Sequence, residues 1–346
     1  MLIKSKAIIF SFFLVTFLLF SLSSKAQKVG FPTKTQRLDT LVLATTKTKK
    51  QAPDTARVGC YVISLHDLDF PEQQYTARFW LWLIKDTISN VDKDVEIPNA
   101  KEMKVDNMIM EKLGNKGWLQ LKLKCIMKQS WNVKHFPFDK QILKIDVENP
   151  QFETDDLVFK VDTLGKSYDP ALFVEGWKIT NFKLSTGVSS YKTGFGDNTL
   201  KKQESSYAKF TIAIELQREA WELFFKLFLG MYIAFAISFV SFFVDAEHAE
   251  PRFGLPVGGL FSGVGNKYVI DSYLPTSSTL TIVDTLHGLT FVMIFVIIAF
   301  SALILQQSED NKLKNLAEST NKVVAWSIAI IYVLINAVSI ALAVWN

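Results

Sequence analysis

The sequence predicts an antiparallel β-sandwich followed by a transmembrane domain of four helices. Segments between residues 57 and 218 alternate apolar and polar side chains with period two, the pattern of strands that are buried on one face. Three later segments are apolar over a length sufficient to span a bilayer. The composition agrees with this, because 49% hydrophobic residues, 28 phenylalanines and a mean hydropathy of +0.18 exceed what an ordinary soluble protein contains.

The N-terminal segment predicts export. Residues 1–26 are organised like a signal peptide, since Lys4 and Lys6 precede a short apolar core and Ser24-Lys25-Ala26 is typical of a cleavage site. An uncleaved anchor is the alternative, and in both cases the domain that follows is exported. Residues 27–56 are rich in Thr, Lys and Gln and have no periodicity, which predicts a disordered leader.

The predicted sandwich covers residues 57–218. Gly, Pro, Asn and Asp interrupt its alternating segments, as the turns of an antiparallel sandwich do. Cys60 and Cys125 each lie in an apolar strand pattern. Export permits a disulfide between them, and two buried free thiols are the favoured interpretation. The clearest predicted strands are 58–65, 79–84, 119–124, 142–147 and 210–216.

The predicted transmembrane domain covers residues 219–346. Between its first two apolar spans lies a more polar stretch, 252–272, which contains five glycines and Pro256. Hydropathy alone would make this stretch a loop. A loop that faces lipid would leave its backbone polar groups unpaired, so this stretch must line protein or water. It is therefore predicted to be a pore-lining fourth span. The three apolar spans are 223–243, 285–305 and 323–345.

A hexapeptide, Phe136-Pro137-Phe138-Asp139-Lys140-Gln141, stands between two predicted strands. Its proline makes a poor strand interior, which favours a loop. The motif resembles the signature loop of the pentameric ligand-gated ion channels, the Cys-loop receptor superfamily of the nicotinic and GABA receptors and their bacterial relatives. In that family the loop lies at the base of the extracellular domain and contacts the membrane domain.

Four further segments resemble motifs of the same family and occur in the same order along the chain. Gln129 and Leu143 stand where animal receptors have the two cysteines that flank the loop, so the chain resembles a prokaryotic member in particular. The matching segments are Glu175-Gly176-Trp177, Ile214 to Arg218, Leu274-Pro275 and Thr281 to Asp284.

The resemblance implies a homopentamer around a central pore, in a bacterial inner membrane, with the sandwich on the periplasmic side. It implies that agonist binding between subunits opens the pore. The expected partners are further copies of the chain, a small-molecule ligand or protons, permeating ions and membrane lipid. A non-conducting membrane receptor or sensor on the same fold is the alternative.

The resemblance also implies a coupling junction between the two domains. Asp139 and Arg218 are expected to pair there, and two separately solvated charges are the alternative. A buried pair of this kind is costly to break from one side, because the remaining charge stays unpaired. The other coupling residues are expected to be Phe136, Pro137, Phe138, Asp69 and Pro275.

Helical spacing of three and four residues assigns one face of 252–272 to the pore. Around the fivefold axis that the resemblance implies, five copies of Phe261 would form an apolar ring, and such constrictions gate by dewetting. Glu250 and Glu247 at the cytoplasmic mouth weakly favour cations. The glycines have a second interpretation, as a close-packing face between helices. The predicted pore-lining residues are Gly254, Gly258, Phe261, Gly265, Tyr268, Val269 and Ser272.

The ligand-binding residues implied by the resemblance are aromatic, and a box of such rings attracts an organic cation. Burial in the sandwich core is the alternative for the tryptophans. The four histidines and two cysteines have no metal-ligand spacing, and no catalytic or phosphate-binding motif occurs, so neither an enzyme nor a cofactor is expected. A net charge of +4 without a basic block gives no indication of nucleic-acid binding. The ligand-binding candidates are Trp80, Trp82, Trp118, Phe152, Tyr191, Phe195 and Tyr207.

Overall fold

The computed structural model describes residues 52–85, 95–164, 167–196, 203–245, 247–276, 279–308 and 314–345. The predicted signal peptide and most of the predicted leader lie outside these ranges. The first strand begins at Asp54, inside the segment predicted as leader. It begins there because Asp54 to Val58 pair in parallel with residues 157–161, and Ala56 is fully buried.

The described residues form eight strands in two sheets. One sheet has the order β3-β4-β2-β1-β6 and the other the order β5-β8-β7. The neighbours are antiparallel except β1 and β6, which are parallel. The strands are β1 (Asp54–Asp69), β2 (Gln74–Lys85), β3 (Ala100–Leu113), β4 (Lys116–Lys128), β5 (Lys140–Glu153), β6 (Leu157–Val161), β7 (Trp177–Tyr191) and β8 (Ser205–Arg218).

The two sheets share a core built from one alternating set of side chains on each strand. Phe79 and Leu81 of β2 are buried, as are Ile212 and Ile214 of β8. Tyr75 is also buried, and its hydroxyl donates to the carbonyl of Lys144 on β5, which joins the two sheets at 2.9 Å. The strands predicted from alternation are confirmed by this burial pattern, and residues with the opposite parity lie on the outer faces.

The two thiols are buried and unpaired, so the interpretation as free cysteines is confirmed. Cys60 lies opposite Leu81 on β2, and Cys125 lies opposite Ala77 on the same strand, four positions away. This spacing along β2 separates them by more than a disulfide can bridge. Burial raises the pKa of both thiols.

Four helices follow the sandwich. They are α1 (Ala220–Val240), α2 (Ala249–Asp271), α3 (Ile282–Ser308) and α4 (Lys314–Trp345). Among the described residues, the segments Ala220–Phe243, Ile282–Gln307 and Ser319–Trp345 are long and apolar enough to cross a membrane. Helix α2, with 23 residues, is longer than α1 but more polar than the other three helices, and it is continuous through Pro256.

Candidate functional site

The signature loop ends in a buried ion pair. The Nε and Nη2 atoms of Arg218 donate to Oδ1 and Oδ2 of Asp139 at 2.7 and 3.2 Å. The side chains are 11% and 1% exposed, so the two charges are not separately solvated. Gln141 Nε2 donates to the same carboxylate at 2.6 Å and also to the carbonyl of Asn132. The loop contains a cis peptide bond between Phe136 and Pro137.

Aromatic rings surround the guanidinium of Arg218. Its Cζ lies 4.0 Å from the ring centroid of Trp177, 4.8 Å from that of Phe70 and 5.0 Å from that of Phe136. Phe70 stacks in turn on Trp131 at 4.3 Å. Cation–π attraction thus compensates part of the cost of removing the charge from water.

The loop also contacts the helical domain. The ring of Phe138 lies 5.0 Å from that of Trp221 and 5.5 Å from that of Phe224, both on α1. The first residue of α3, Ile282, donates its backbone N–H to the carbonyl of Lys134 at 3.0 Å. The segment before Pro137 therefore holds the start of α3, and the segment after it packs against the start of α1.

Three further residues border this junction. The carbonyl of Asp69 accepts from Trp131 Nε1 at 2.8 Å, which places Asp69 beside the aromatic cluster. Pro275 follows α2 and is half-buried, next to Leu274, which packs on the main core. Burial and the adjacent charge of Lys134 lower the pKa of His135, so this histidine is neutral at pH 7.

The seven residues predicted to line a pore are all exposed, six of them on one face of α2 and Ser272 directly after its last residue. Phe261 is 72% exposed and Tyr268 is 79% exposed. The opposite face, which includes Arg252, Pro256 and Ile270, is buried.

The glycines of α2 divide between the two interpretations. A Cβ on Gly259 would clash with Ser238 Oγ on α1, and one on Gly263 would lie 3.0 Å from the Phe291 ring on α3. These two glycines form the close-packing face. A Cβ on Gly254, Gly258 or Gly265 would meet no atom within 4 Å of the described structure, so packing within the chain does not require those glycines.

Arg252 fixes the rotation of α2 about its axis. Its Nη1 donates to the carbonyl of Val244 at 2.8 Å, and its Nη2 donates to Asn321 Oδ1 on α4 at 2.6 Å. Asn321 donates to the carbonyl of Phe242. The cation is thereby turned into the protein, while Glu250 and Glu247 at the same end of α2 are exposed.

The sequence analysis did not predict the polar contacts between α2 and α3. Lys267 Nζ lies 2.6 Å from Asp271 and 2.9 Å from Asp284 on α3. Asn266 of α2 lies 3.0 Å from His287 of α3. The available signal was the presence of polar residues in segments that are otherwise apolar, which marks groups that face protein rather than lipid.

Three of the ligand-binding candidates form an aromatic cluster on β7, β8 and their connection. The rings of Tyr191, Phe195 and Tyr207 lie 5.7 to 6.4 Å apart, edge to face. Beside them is Glu148, a buried carboxylate that sequence reasoning missed. It accepts from the Tyr191 hydroxyl at 2.8 Å and from Ser189 Oγ. Burial and this hydrogen bond raise the pKa of Tyr191 to about 12.

The other four candidates lie elsewhere in the chain. Trp80, Trp82 and Trp118 are half-buried on the outer face of the five-stranded sheet, so they are not part of the sandwich core. Trp82 donates to Asp162, and Lys122 Nζ lies 5.5 Å above the Trp80 ring.

Phe152 follows Glu148 on β5, and Lys85 Nζ lies 5.3 Å from its ring. Within one chain the tryptophans and the Tyr191 cluster belong to different sheets. Across the described residues, no group of three or more His, Cys, Asp or Glu side chains is placed to hold a metal ion.

Comparisons with known proteins agree with the resemblance of the signature loop. No protein-family model matches the chain. Over 206 residues it is 25% identical to the glutamate-gated chloride channel of Drosophila melanogaster, an alignment that covers 59% of this chain and 42% of the relative. Over 223 residues it is 21% identical to a gamma-aminobutyric acid receptor subunit beta of Caenorhabditis elegans, covering 64% and 38%.

The chain thus spans less than half the length of these two relatives. They support the receptor superfamily, and neither name describes an enzyme. Since the one relative named as a channel passes chloride, the expected cation selectivity receives no support from them.

Proposed function

We propose that this chain is a subunit of a ligand-gated ion channel of the Cys-loop receptor superfamily, of the prokaryotic type. Five copies surround a pore lined by α2, in a bacterial inner membrane with the sandwich on the periplasmic side. The observation that carries this proposal is α2 itself. It is fixed by Arg252 and packed through Gly259 and Gly263, yet it leaves the face with Phe261 exposed.

A ring of five Phe261 side chains is the proposed gate. Glycines stand at positions 258 and 265, one helical turn to each side, so neither position adds a side chain to the lumen next to the ring. A narrow apolar ring expels water and thereby ions, and a small rotation or tilt of α2 widens it.

The proposed ligand is an organic cation, for example an amine of the size of an amino acid. The Tyr191 cluster offers ring faces to a cation, and the charge of Glu148 beside it adds electrostatic attraction. The exposed tryptophan face of a neighbouring copy, with Trp80 and Trp118, would complete the site between subunits. One relative is named as a subunit of a receptor for gamma-aminobutyric acid, a small molecule that carries an ammonium group.

Coupling to the pore is proposed to run through the signature loop. Phe138 packs on α1, and the carbonyl of Lys134 holds the start of α3. Displacement of the loop by ligand binding would move both helices against α2. Thermodynamically, the ligand need only bind the open state better than the closed state.

Two observations bear on ion selectivity and favour opposite signs. Glu250 and Glu247 are exposed at one end of α2 while Arg252 is turned inward, which favours cations. The relative from Drosophila melanogaster is a chloride channel, which favours anions. The reversal potential of the current in a KCl gradient distinguishes them. If the acids set selectivity, the double variant Glu247→Gln, Glu250→Gln moves that potential toward zero.

The proposed function is tested by reconstituting the purified protein in planar bilayers and applying small organic amines. Amine-dependent current is expected, and Phe261→Ala is expected to leak without amine because the ring is widened. Phe295→Ala is the matched control, since Phe295 is a comparably exposed aromatic residue on α3 rather than α2. If no condition elicits current and Phe261→Ala does not leak, the protein is a non-conducting receptor on the same fold.

A further inference from the structure

An extended segment, residues 95–101, lies along the edge of β5 that faces away from β8, and we call it the bridging segment. Glu96 and Glu148 exchange two backbone hydrogen bonds of 2.9 Å each, in antiparallel register. Both sequence neighbours of Glu96 are buried in the core. Glu148 is also the carboxylate that accepts from the Tyr191 hydroxyl. One end of the bridging segment is therefore fixed to the residue that borders the Tyr191 cluster.

Asn99 makes the second contact of the bridging segment with β5. The residue before it, Pro98, has no N–H to donate. The side chain of Asn99 pairs with the strand instead, since its Nδ2 donates to the carbonyl of Lys144 at 2.7 Å and its Oδ1 accepts from the N–H of Asp146 at 3.0 Å. These partners admit one orientation of the amide, because a carbonyl can only accept and a backbone N–H can only donate.

The main chain of Asn99 leads to the turn between β1 and β2, residues 70–73. Its carbonyl accepts from the N–H of Lys128, the last residue of β4, at 2.9 Å. The next N–H along the chain, that of Gln129, donates to the carbonyl of Gln73 in the turn at 2.9 Å. Asn99 therefore joins β5 of one sheet to the end of β4 in the other, one residue before the chain contacts the turn.

Lys101 contacts the same turn from the start of β3. Its Nζ donates to the carbonyl of Glu72 at 2.7 Å and to Gln74 Oε1 at 2.8 Å. The turn carries Phe70, whose ring centroid lies 4.8 Å from Cζ of Arg218. Both connections from Asn99 thus end on the turn that places Phe70 against the coupling junction.

We propose that the bridging segment is a second coupling element and that Asn99 is its positioning residue. This inference rests on the proposed function, since it takes ligand binding at the Tyr191 cluster to open a pore. When β5 is displaced at Lys144 relative to the five-stranded sheet, Asn99 moves with it, or both hydrogen bonds of its side chain break. Movement of Asn99 displaces the turn and changes how Phe70 lies against Arg218. The signature loop acts on the helices directly, whereas the bridging segment acts on the aromatic cluster around Arg218.

The first test removes the side-chain bridge and leaves the Tyr191 cluster and the junction intact. In Asn99→Ala, the factor by which saturating gamma-aminobutyric acid raises the open-to-closed ratio of the reconstituted protein should fall at least about fivefold, the lower end of typical coupling between two sites. Asn107→Ala is the matched control, because Asn107 also lies on β3 and its side chain accepts from the N–H of the next residue, Met108. The control should keep the wild-type factor. A wild-type factor in Asn99→Ala overturns the proposal.

A milder variant keeps the test decisive if Asn99→Ala does not fold. Asn99→Asp retains the acceptor for the N–H of Asp146 and removes the donor to Lys144. It should lower the same factor in the same direction but by less. Should the wild type not respond to gamma-aminobutyric acid, the second readout decides alone.

Amide hydrogen exchange is that second readout, and it needs neither a ligand nor a current. In the detergent-solubilised protein, Asn99→Ala should accelerate exchange of the amides of the turn by about fivefold, the factor that corresponds to about one hydrogen bond. Exchange in β7 should stay unchanged, whereas general destabilisation would accelerate it as well. Glu148→Ala should also accelerate the turn, and it should have no further effect in the Asn99→Ala background.

The combined variant separates the two proposals. Additive effects of Glu148→Ala and Asn99→Ala on the turn, or equal acceleration of the turn and of β7, overturn the positioning role. If the effects are non-additive but no current is ever recorded, the positioning role stands and the proposed channel function fails.

Discussion

Asp139 and Arg218 each need the opposite charge of the other, because both side chains are largely shielded from water. The guanidinium lies against the faces of Phe70, Phe136 and Trp177, and the carboxylate accepts from Arg218 and from one further side-chain donor. Removing one charge leaves the other buried among aromatic rings without its partner. The resulting loss in the free energy of unfolding therefore reflects the burial of an unpaired charge rather than the strength of the original ion pair.

We therefore expect Asp139→Asn to lower the free energy of unfolding by about 3 kcal/mol. Asp106→Asn is the matched control, since Asp106 pairs at 3.0 Å with Arg78 on the more exposed surface of the five-stranded sheet. A surface pair contributes about 0–1 kcal/mol. Denaturant unfolding of the detergent-solubilised variants measures both changes. Equal effects of the two substitutions would show that burial does not strengthen the junction pair.

At this scale the sequence predicts a residue well when a motif identifies it. The Asp139–Arg218 pair was expected from the resemblance, and its contact is found. Glu148 and Asn266 carry no motif. Their importance depends on hydroxyl, carbonyl and imidazole groups brought to them by other strands and helices, which local sequence does not specify.

Helix α2 has two faces that differ in what a side chain can occupy. Gly259 lies against the carbonyl of Ala234, which a Cβ would approach to 2.6 Å, whereas its neighbour Gly258 faces open space. The sequence predicted this helix and assigned its Phe261 face to a pore, but it left two interpretations open for the glycines. Glycines recur on both faces, so periodicity alone cannot separate packing from lumen. The rotation is set by Arg252 and Asn321, which are 69 residues apart in the chain.

Gly259→Ala should destabilise the protein by about 1–3 kcal/mol, because an added methyl forces α1 and α2 apart. Gly258→Ala should instead stabilise the single chain by up to about 1 kcal/mol, the difference in helix propensity between glycine and alanine. Each variant adds one methyl group, and the two sites are adjacent in the sequence. Their opposite signs, read from thermal unfolding in detergent, test the assigned rotation of α2, and a loss of similar size for both would contradict it.

Three surfaces of the chain carry large aromatic side chains that no other part of the described chain covers. The tryptophans on the outer sheet face, the Tyr191 cluster and the Phe261 face of α2 are all partly or largely exposed. Alternation and hydropathy distinguish buried from exposed within a chain. They do not distinguish surfaces covered by a second copy from surfaces that meet lipid or a water-filled lumen, so the assembly is an inference from the resemblance and from these faces together.

Cysteine accessibility separates these environments. Phe261 on α2 and Val333 on α4 are similarly exposed in the chain, at 72% and 62%. If α2 lines an aqueous pore and α4 faces lipid, a charged, water-soluble thiol reagent should modify Phe261→Cys at least about tenfold faster than Val333→Cys in liposomes, because a charged group enters the bilayer core at a cost of about 2.5 kcal/mol or more.

The native Cys60 and Cys125 need no replacement in this experiment. Both are buried, and burial raises the pKa of each thiol, which keeps the reactive thiolate scarce. Cysteines at positions 254, 258, 265 and 268 should react like Phe261→Cys, since they share its face. Comparable rates at Phe261→Cys and Val333→Cys would place both helices in the same environment, and a pore lined by α2 would then be excluded.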